Sequence, residues 1–215
     1  MKAPFNINSK SILTGLIGLV VIMIFVSLFS TEQTEDPEAY IESVQAFRKE
    51  KDKYFGRDKD SPIENQAEFE GLNYYDPDPS YKTTASLELL TGDEQVISIK
   101  RSDGKKEDFI KYAYASFELN EQPARVLLLK RTGNEVDTTM LFLPFTDKTS
   151  GEDTYGGGRY LDLKYDNEEE IEIDFNLAYN PYCVYNIRYS CPLPPEGNFI
   201  DQEIRAGEKN YKAYE

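Results

Sequence analysis

The side chains able to do chemistry in this chain gather between Leu143 and Tyr211, in LPFTDKTSGEDTYGGGRYLDL and DFNLAYNPYCVYNIRYSCPLPPEGNFIDQEIRAGEKNY. Histidine is absent from all 215 residues. That removes Ser-His-Asp and Cys-His nucleophile systems and every histidine metal site, so catalysis would fall to Asp, Glu, Tyr, Lys, Arg or Cys. Arg159 follows Gly156-Gly157-Gly158, and its planar guanidinium can clamp a carboxylate, either a ligand's or an internal one such as Asp174. With Asp147 and Asp174 as acid and base, an enzyme working through two carboxylates is conceivable; it needs them about 5–10 Å apart across a cleft. Asp174, Asn176, Tyr179, Asn180 and Tyr182 leave a strand end for a proline turn. There they either furnish a pocket or cap their own backbone. The ligand-binding candidates are therefore Arg159, Asp174, Asn176, Tyr182 and Asp147.

Cys183 and Cys191 are the only cysteines. Two thiolates are too few for a Cys-only zinc site, and a mixed site with Asp174 or Glu208 departs from the usual ligand sets, so no metal is expected. The acidic, hydroxyl-rich stretch before the glycines lacks the G-x-x-x-x-G-K-[ST] phosphate loop and the EF-hand spacing, and no cofactor is expected. In an oxidising compartment the two cysteines are expected to form a disulfide, whose short loop would contribute roughly 2–3 kcal/mol. Buried free thiols or a redox role are the alternatives.

The compartment is read from the N-terminus. Ile12 to Phe29 (ILTGLIGLVVIMIFVSLF) carries no charge; as a helix rising ~1.5 Å per residue it would span about 27 Å, close to a bilayer's hydrocarbon core. Lys2 and Lys10 precede it, and Glu32, Glu35, Asp36 and Glu38 follow. This asymmetry predicts a cytoplasmic N-terminus (1–11), a single transmembrane anchor (12–29), a linker (30–36) and one extracytoplasmic domain (37–215). A cleaved signal peptide is the competing reading, against which stand the length of the run and the lack of a small-residue cleavage site. Lys plus Arg is 24 against 39 for Asp plus Glu, a net charge of −15. A field of that sign repels phosphate backbones, so nucleic acid is not an expected partner. The expected role is binding of a small molecule or an envelope protein, the alternatives being the two-carboxylate enzyme and a purely structural envelope module, in which Arg159 and Asp174 would satisfy each other.

The elements that must position these residues show two periods. Asp36-Pro37-Glu38 reads as a helix start, and Tyr40, Val44, Phe47 and Tyr54 recur at helical spacing, predicting one amphipathic helix from Pro37 to about Phe55. Asp60-Ser61-Pro62 ends it. Strands are predicted at Tyr81–Leu90, Gln95–Arg101, Phe109–Leu119, Arg125–Arg131, Asp137–Phe145, Arg159–Tyr165, Glu170–Phe175 and Phe199–Ile204. TGDE, SDGKK, NEQP and TGNE are the turns between the early ones. Leu161, Leu163 and Tyr165 alternate with polar neighbours, as do Ile171, Ile173 and Phe175, the mark of strands with one wet face. About eight strands without helical crossovers make a mainly β domain, an antiparallel sandwich or a partly open barrel. Sixteen Tyr and twelve Phe with no Trp suit half-buried sheet surfaces.

The same blocks resemble an uncharacterised prokaryotic family, domain of unknown function 1684. The resemblance rests on Phe145 and Asp147, TSGEDTYGGGRY (Thr149–Tyr160), DFNLAYNPYC (Asp174–Cys183), CPLPPEGN (Cys191–Asn198) and AGEKNY (Ala206–Tyr211), with GLNYYDPDPSY (Gly71–Tyr81) as its opening segment. It covers about residues 45 to 211 and implies one domain. It assigns no activity, cofactor or catalytic residue.

Overall fold

The computed structural model describes residues 36–91, 95–132, 139–165 and 169–211. The expected anchor at 12–29 lies outside the described residues; among them, no helix is long and apolar enough to cross a membrane. The first element is α1, Pro37–Arg57. Proline at its first position has no N–H to leave unsatisfied, and Glu38 in the first turn and Arg57 in the last complement the helix dipole. At the far end, side chains take up the free carbonyls. Ser61 Oγ donates to Phe55 O at 2.7 Å and Gln66 Nε2 to Asp58 O at 2.5 Å.

The buried face of α1 carries Tyr40, Val44, Arg48 and Phe55, one stripe at helical spacing. It lies on the chain's own domain. Arg48 reaches the carbonyls of Tyr75 (2.7 Å) and Asn176 (3.2 Å), and its guanidinium sits 4.5 Å from the centre of the Tyr74 ring. Phe47, which periodicity assigns to the apolar stripe, is instead 49% exposed.

Eight strands follow: β1 Lys82–Leu89, β2 Val96–Lys100, β3 Lys106–Leu119, β4 Gln122–Arg131, β5 Met140–Asp147, β6 Arg159–Lys164, β7 Glu170–Asp174 and β8 Phe199–Ile200. The sheet runs β6-β5-β4-β3-β1-β7, with β2 added on β3 and β8 on β5. All pairings are antiparallel except β5 with β8. β3 serves two neighbours: its first half pairs β2 and its second half β1, with a bulge between Lys111 and Ala113 where it bends. The β3–β4 turn places Asn120 (φ 50°) and Glu121 (φ 62°) in the left-handed region, as a two-residue hairpin requires. Because β6 and β7, the ends of the order, approach each other, the sheet is a nearly closed barrel rather than a sandwich.

The alternation seen in the sequence sorts the core. Leu128, Leu141, Leu143, Phe145, Leu161, Ile173 and Phe175 fill the barrel interior, while Asp162, Lys164 and Glu172 face out. β4 and β5 are apolar on both faces. Leu127, Leu129 and Phe142 turn outward and pack with Phe109, Tyr160 and Cys191 beneath the Tyr179–Pro192 segment. At roughly 1.5–3 kcal/mol per buried large side chain, these two clusters carry most of the domain's stabilisation. β8 ends at Ile200, short of the predicted Ile204. Beyond it, the Ile204 and Ala206 backbone is satisfied by the side chains of Asp147 and Arg159 instead of a neighbouring strand.

A buried polar knot and an aromatic groove as the candidate functional site

Arg159 opens β6 and is fully buried, at 0% exposure. Its partner is Asp147 at the end of β5, not Asp174. Nη2 lies 2.9 Å from Asp147 Oδ2 and donates to Ile204 O at 2.8 Å; Nη1 donates to the carbonyls of Ala206 and of Glu208. Asp147 Oδ1 accepts from Thr149 N (2.8 Å), Thr149 Oγ1 (2.6 Å) and Ile204 N (3.2 Å). The acidic, hydroxyl-rich stretch therefore closes on itself, with Thr149 Oγ1 and Thr154 Oγ1 2.9 Å apart. Of the three glycines, Gly158 is the one the backbone demands. Its φ is +88°, and a Cβ there would stand 2.5 Å from Phe145 O. The knot ties the C-terminal segment to β5 and β6 and leaves Arg159 no surface for a ligand.

Asp174 and Asn176 form a second, separate knot. Asp174 Oδ1 accepts from Asn176 N at 2.9 Å, capping the 3-10 turn Phe175–Leu177. The Tyr40 hydroxyl of α1 lies 2.9 and 2.8 Å from the two Asp174 oxygens. Asn176 Nδ2 donates to Tyr40 OH and to Asp78 O, each at 2.8 Å, while its Oδ1 accepts from Asp78 N at 2.9 Å. These side chains cap backbone and pin the helix, so of the two readings of this strand end the structure takes the turn. An acid–base pair of Asp147 and Asp174 is not assembled, because each carboxylate is absorbed by its own set of donors.

Of the candidates, Tyr182 alone lines an opening. A groove of about 710 Å³ runs between α1 and the outer face of the sheet, within the range of small-molecule sites. Tyr54 and Phe55 of α1 face Tyr160, Tyr179, Tyr182 and Tyr189 across it. Phe47 stands at its rim, which accounts for its exposure. The rings hold one another edge-on, with centroids 5.8 Å apart for Tyr160–Tyr179 and 5.3 Å for Tyr182–Tyr189. Burial pushes the Tyr160, Tyr179 and Tyr182 hydroxyls far above the ordinary phenol range, so they stay protonated.

The groove's charged groups differ in how far they are committed. Lys51 is held at 2.5 Å by Glu208, which is itself 1% exposed and accepts from Asn180 N at 2.9 Å and from Tyr185 OH. Arg101 is taken by Glu107 at 3.2 Å and by Ser190. Arg131 is bound more loosely. Its guanidinium lies 3.9 Å from the Phe142 ring centre, and its ion pair to Asp162 is 3.8 Å long. Asp162 also accepts from Tyr179 OH.

The model of the family described as "Protein of unknown function (DUF1684)" matches residues 67–209. The chain belongs to the DUF1684 family. Among solved structures, it is similar to the solution NMR structure of an uncharacterised protein of Haloarcula marismortui. That protein is 37% identical with a TM-score of 0.61, over 80% of this chain and 95% of that one. None of the curated proteins compared with the chain matches it. The matched span of this DUF1684 chain contains all eight strands, the whole Arg159 knot, Asp174 and Asn176 of the second, and both cysteines, whereas α1, which supplies Tyr40 to the second knot and one wall to the groove, precedes it.

In the DUF1684 domain the expected disulfide finds no support: the structure has Cys183 and Cys191 as free thiols. They are nevertheless neighbours, the Cys183 amide donating to Cys191 Sγ at 3.2 Å. Hydrogen bonding with Cys191, and with Ser102 and Tyr155, outweighs partial burial and lowers the Cys183 thiol to about 7. Cys191, the other member of that pair, is driven up. Among the described residues, no group of three or more His, Cys, Asp or Glu could hold a metal ion. Sequence reasoning missed Arg131, Tyr54, Tyr160 and Tyr189. For the three tyrosines the only signal was the abundance of that residue, which reads equally well as sheet packing; nothing in the sequence marked Arg131.

Proposed function

We propose that the chain is a membrane-tethered, extracytoplasmic binding module, and that its site is the aromatic groove between α1 and the sheet. The uncharged run Ile12–Phe29, with lysines before it and acids after it, supports the tether and its orientation. The observation that carries the binding reading is the groove itself. It is about 710 Å³, with aromatic rings on both walls; of its two guanidinium groups Arg101 is held by Glu107 at 3.2 Å, while the ion pair of Arg131 is long at 3.8 Å. Aromatic faces take up a flat apolar ring, and a guanidinium receives a carboxylate through two parallel hydrogen bonds. The ligand is thus a small amphipathic molecule with a flat ring and a carboxylate.

2-Naphthoate is a suitable probe. Calorimetry of the full-length protein in lipid nanodiscs, corrected against empty nanodiscs, is expected to show saturable 1:1 binding. Arg131→Gln, or the uncharged probe 2-naphthamide, is expected to weaken it about tenfold, or ~1.4 kcal/mol. Equal affinities for acid and amide on the unaltered protein would remove Arg131 from the site.

A further inference from the structure

We propose that Cys183 and Cys191 are a reactive dithiol that exchanges with disulfides, Cys183 as the attacking thiolate and Cys191 as the resolving thiol. The geometry is that of a prepared nucleophile. Cys183 sits in the 3-10 turn Tyr182–Val184, half-buried and open to solvent on one side, while Cys191 is 8% exposed in the cluster beneath it. The Cys183 amide donates to Cys191 Sγ at 3.2 Å, which sets the two thiols side by side with Cys183 the more exposed; hydrogen bonding with Cys191, Ser102 and Tyr155 lowers the Cys183 thiol. A sulfur so surrounded holds negative charge more easily than in water, which favours its thiolate near neutral pH. The other titratable or charged groups facing the pair are Tyr160, which stays protonated, and Arg101, whose charge favours a thiolate at Cys191. Neither thiol serves the groove's ion pairs or the two polar knots, and the hydrogen-bonded contact puts the second thiol where a resolving group must be.

The chemistry balances without a metal or cofactor. The Cys183 thiolate attacks one sulfur of a disulfide RSSR, forming a Cys183–S–S–R bond and expelling RS⁻. Cys191 then gives its proton to solvent and attacks the Cys183 sulfur, closing the Cys183–Cys191 disulfide and releasing the second RS⁻. One external disulfide is reduced, the dithiol is oxidised, and two thiols leave. Excess external thiol runs the sequence backwards.

The test uses the reduced full-length protein in nanodiscs with bis(2-hydroxyethyl) disulfide. The unaltered protein is expected to lose two hydrogens by mass and to yield a Cys183–Cys191 linked peptide. Cys191→Ser is expected to stop at a mixed disulfide carried on Cys183, and Cys183→Ser to react at least tenfold more slowly. A measurement that needs no substitution is iodoacetamide labelling followed by peptide mapping. At pH 7 Cys183 should label at least tenfold faster than Cys191, with its rate rising through a midpoint of about 7. Three outcomes would overturn the proposal. These are equal labelling of the two thiols, a Cys183 midpoint near 9, or a bond that resists reductant until the domain is denatured, which makes it structural. Probe binding in the groove is measured separately, so either reading can fail alone.

Discussion

Arg159→Met is expected to destabilise the domain by about 3–5 kcal/mol, the cost of removing one partner from a buried ion pair. Methionine fills much of the space but supplies no charge. It leaves the Asp147 carboxylate, 2% exposed, without its cation. It also strips a donor from each of the carbonyls of Ile204, Ala206 and Glu208. The C-terminal segment has lost its β8 pairing by Ile200 and depends on those bonds, so it should detach before the barrel unfolds. Urea denaturation followed by tyrosine fluorescence measures the loss, and the melting temperature should fall by roughly 10 °C or more. Combining the change with Asp147→Leu is expected to recover part of the loss, because the stranded carboxylate goes too. A loss below about 1 kcal/mol would mean that the knot is not what holds the C-terminal segment.

Asp174→Ala is the second large effect, about 2–4 kcal/mol, since three donors lose their acceptor at once. They are the Tyr40 hydroxyl, the Asn176 amide and Asn176 Nδ2. Tyr40→Phe should cost less, about 1–2 kcal/mol, because Asp174 keeps its Asn176 donors. The two changes share a signature that a mere loss of packing would not give. Both release α1 from the sheet, so limited trypsinolysis at Lys49 and Lys53 should accelerate while the barrel remains intact. Since α1 is one wall of the groove, probe binding should fall in step. If α1 stays as resistant to protease as in the unaltered protein, its attachment lies elsewhere, in Arg48 and Phe55.

Much of the fold was legible because strand periodicity is local. Leu161, Leu163, Ile171 and Ile173 alternate with charged residues, and they point inward as alternation requires. Asp36-Pro37-Glu38 marked the start of α1 to the residue. What failed was whatever depended on register or on long-range meeting. Both Asp147 and Asp174 are carboxylates at strand ends, and only the pairing of Phe145 with Arg159 brings the first within reach of the guanidinium. β8 looked longer because Ile204 is apolar and buried, yet its backbone partners are side chains that no local pattern announces. The groove was invisible for the same reason. Its walls come from α1 and from residues far later in the chain, between Arg101 and Pro192, and tyrosines that line a cavity have the same sequence signature as tyrosines that pack on a sheet.

The central claim is a division of labour: the polar knots hold the domain together, and the tyrosine groove binds. An amide chemical-shift titration of the ¹⁵N-labelled full-length protein in nanodiscs with 2-naphthoate tests it most directly. The account predicts saturable shifts at Lys51, Tyr54, Arg131, Tyr179 and Tyr182, with Arg159, Asp147 and Asp174 unmoved. Shifts centred on Arg159 and Asp147 would contradict it.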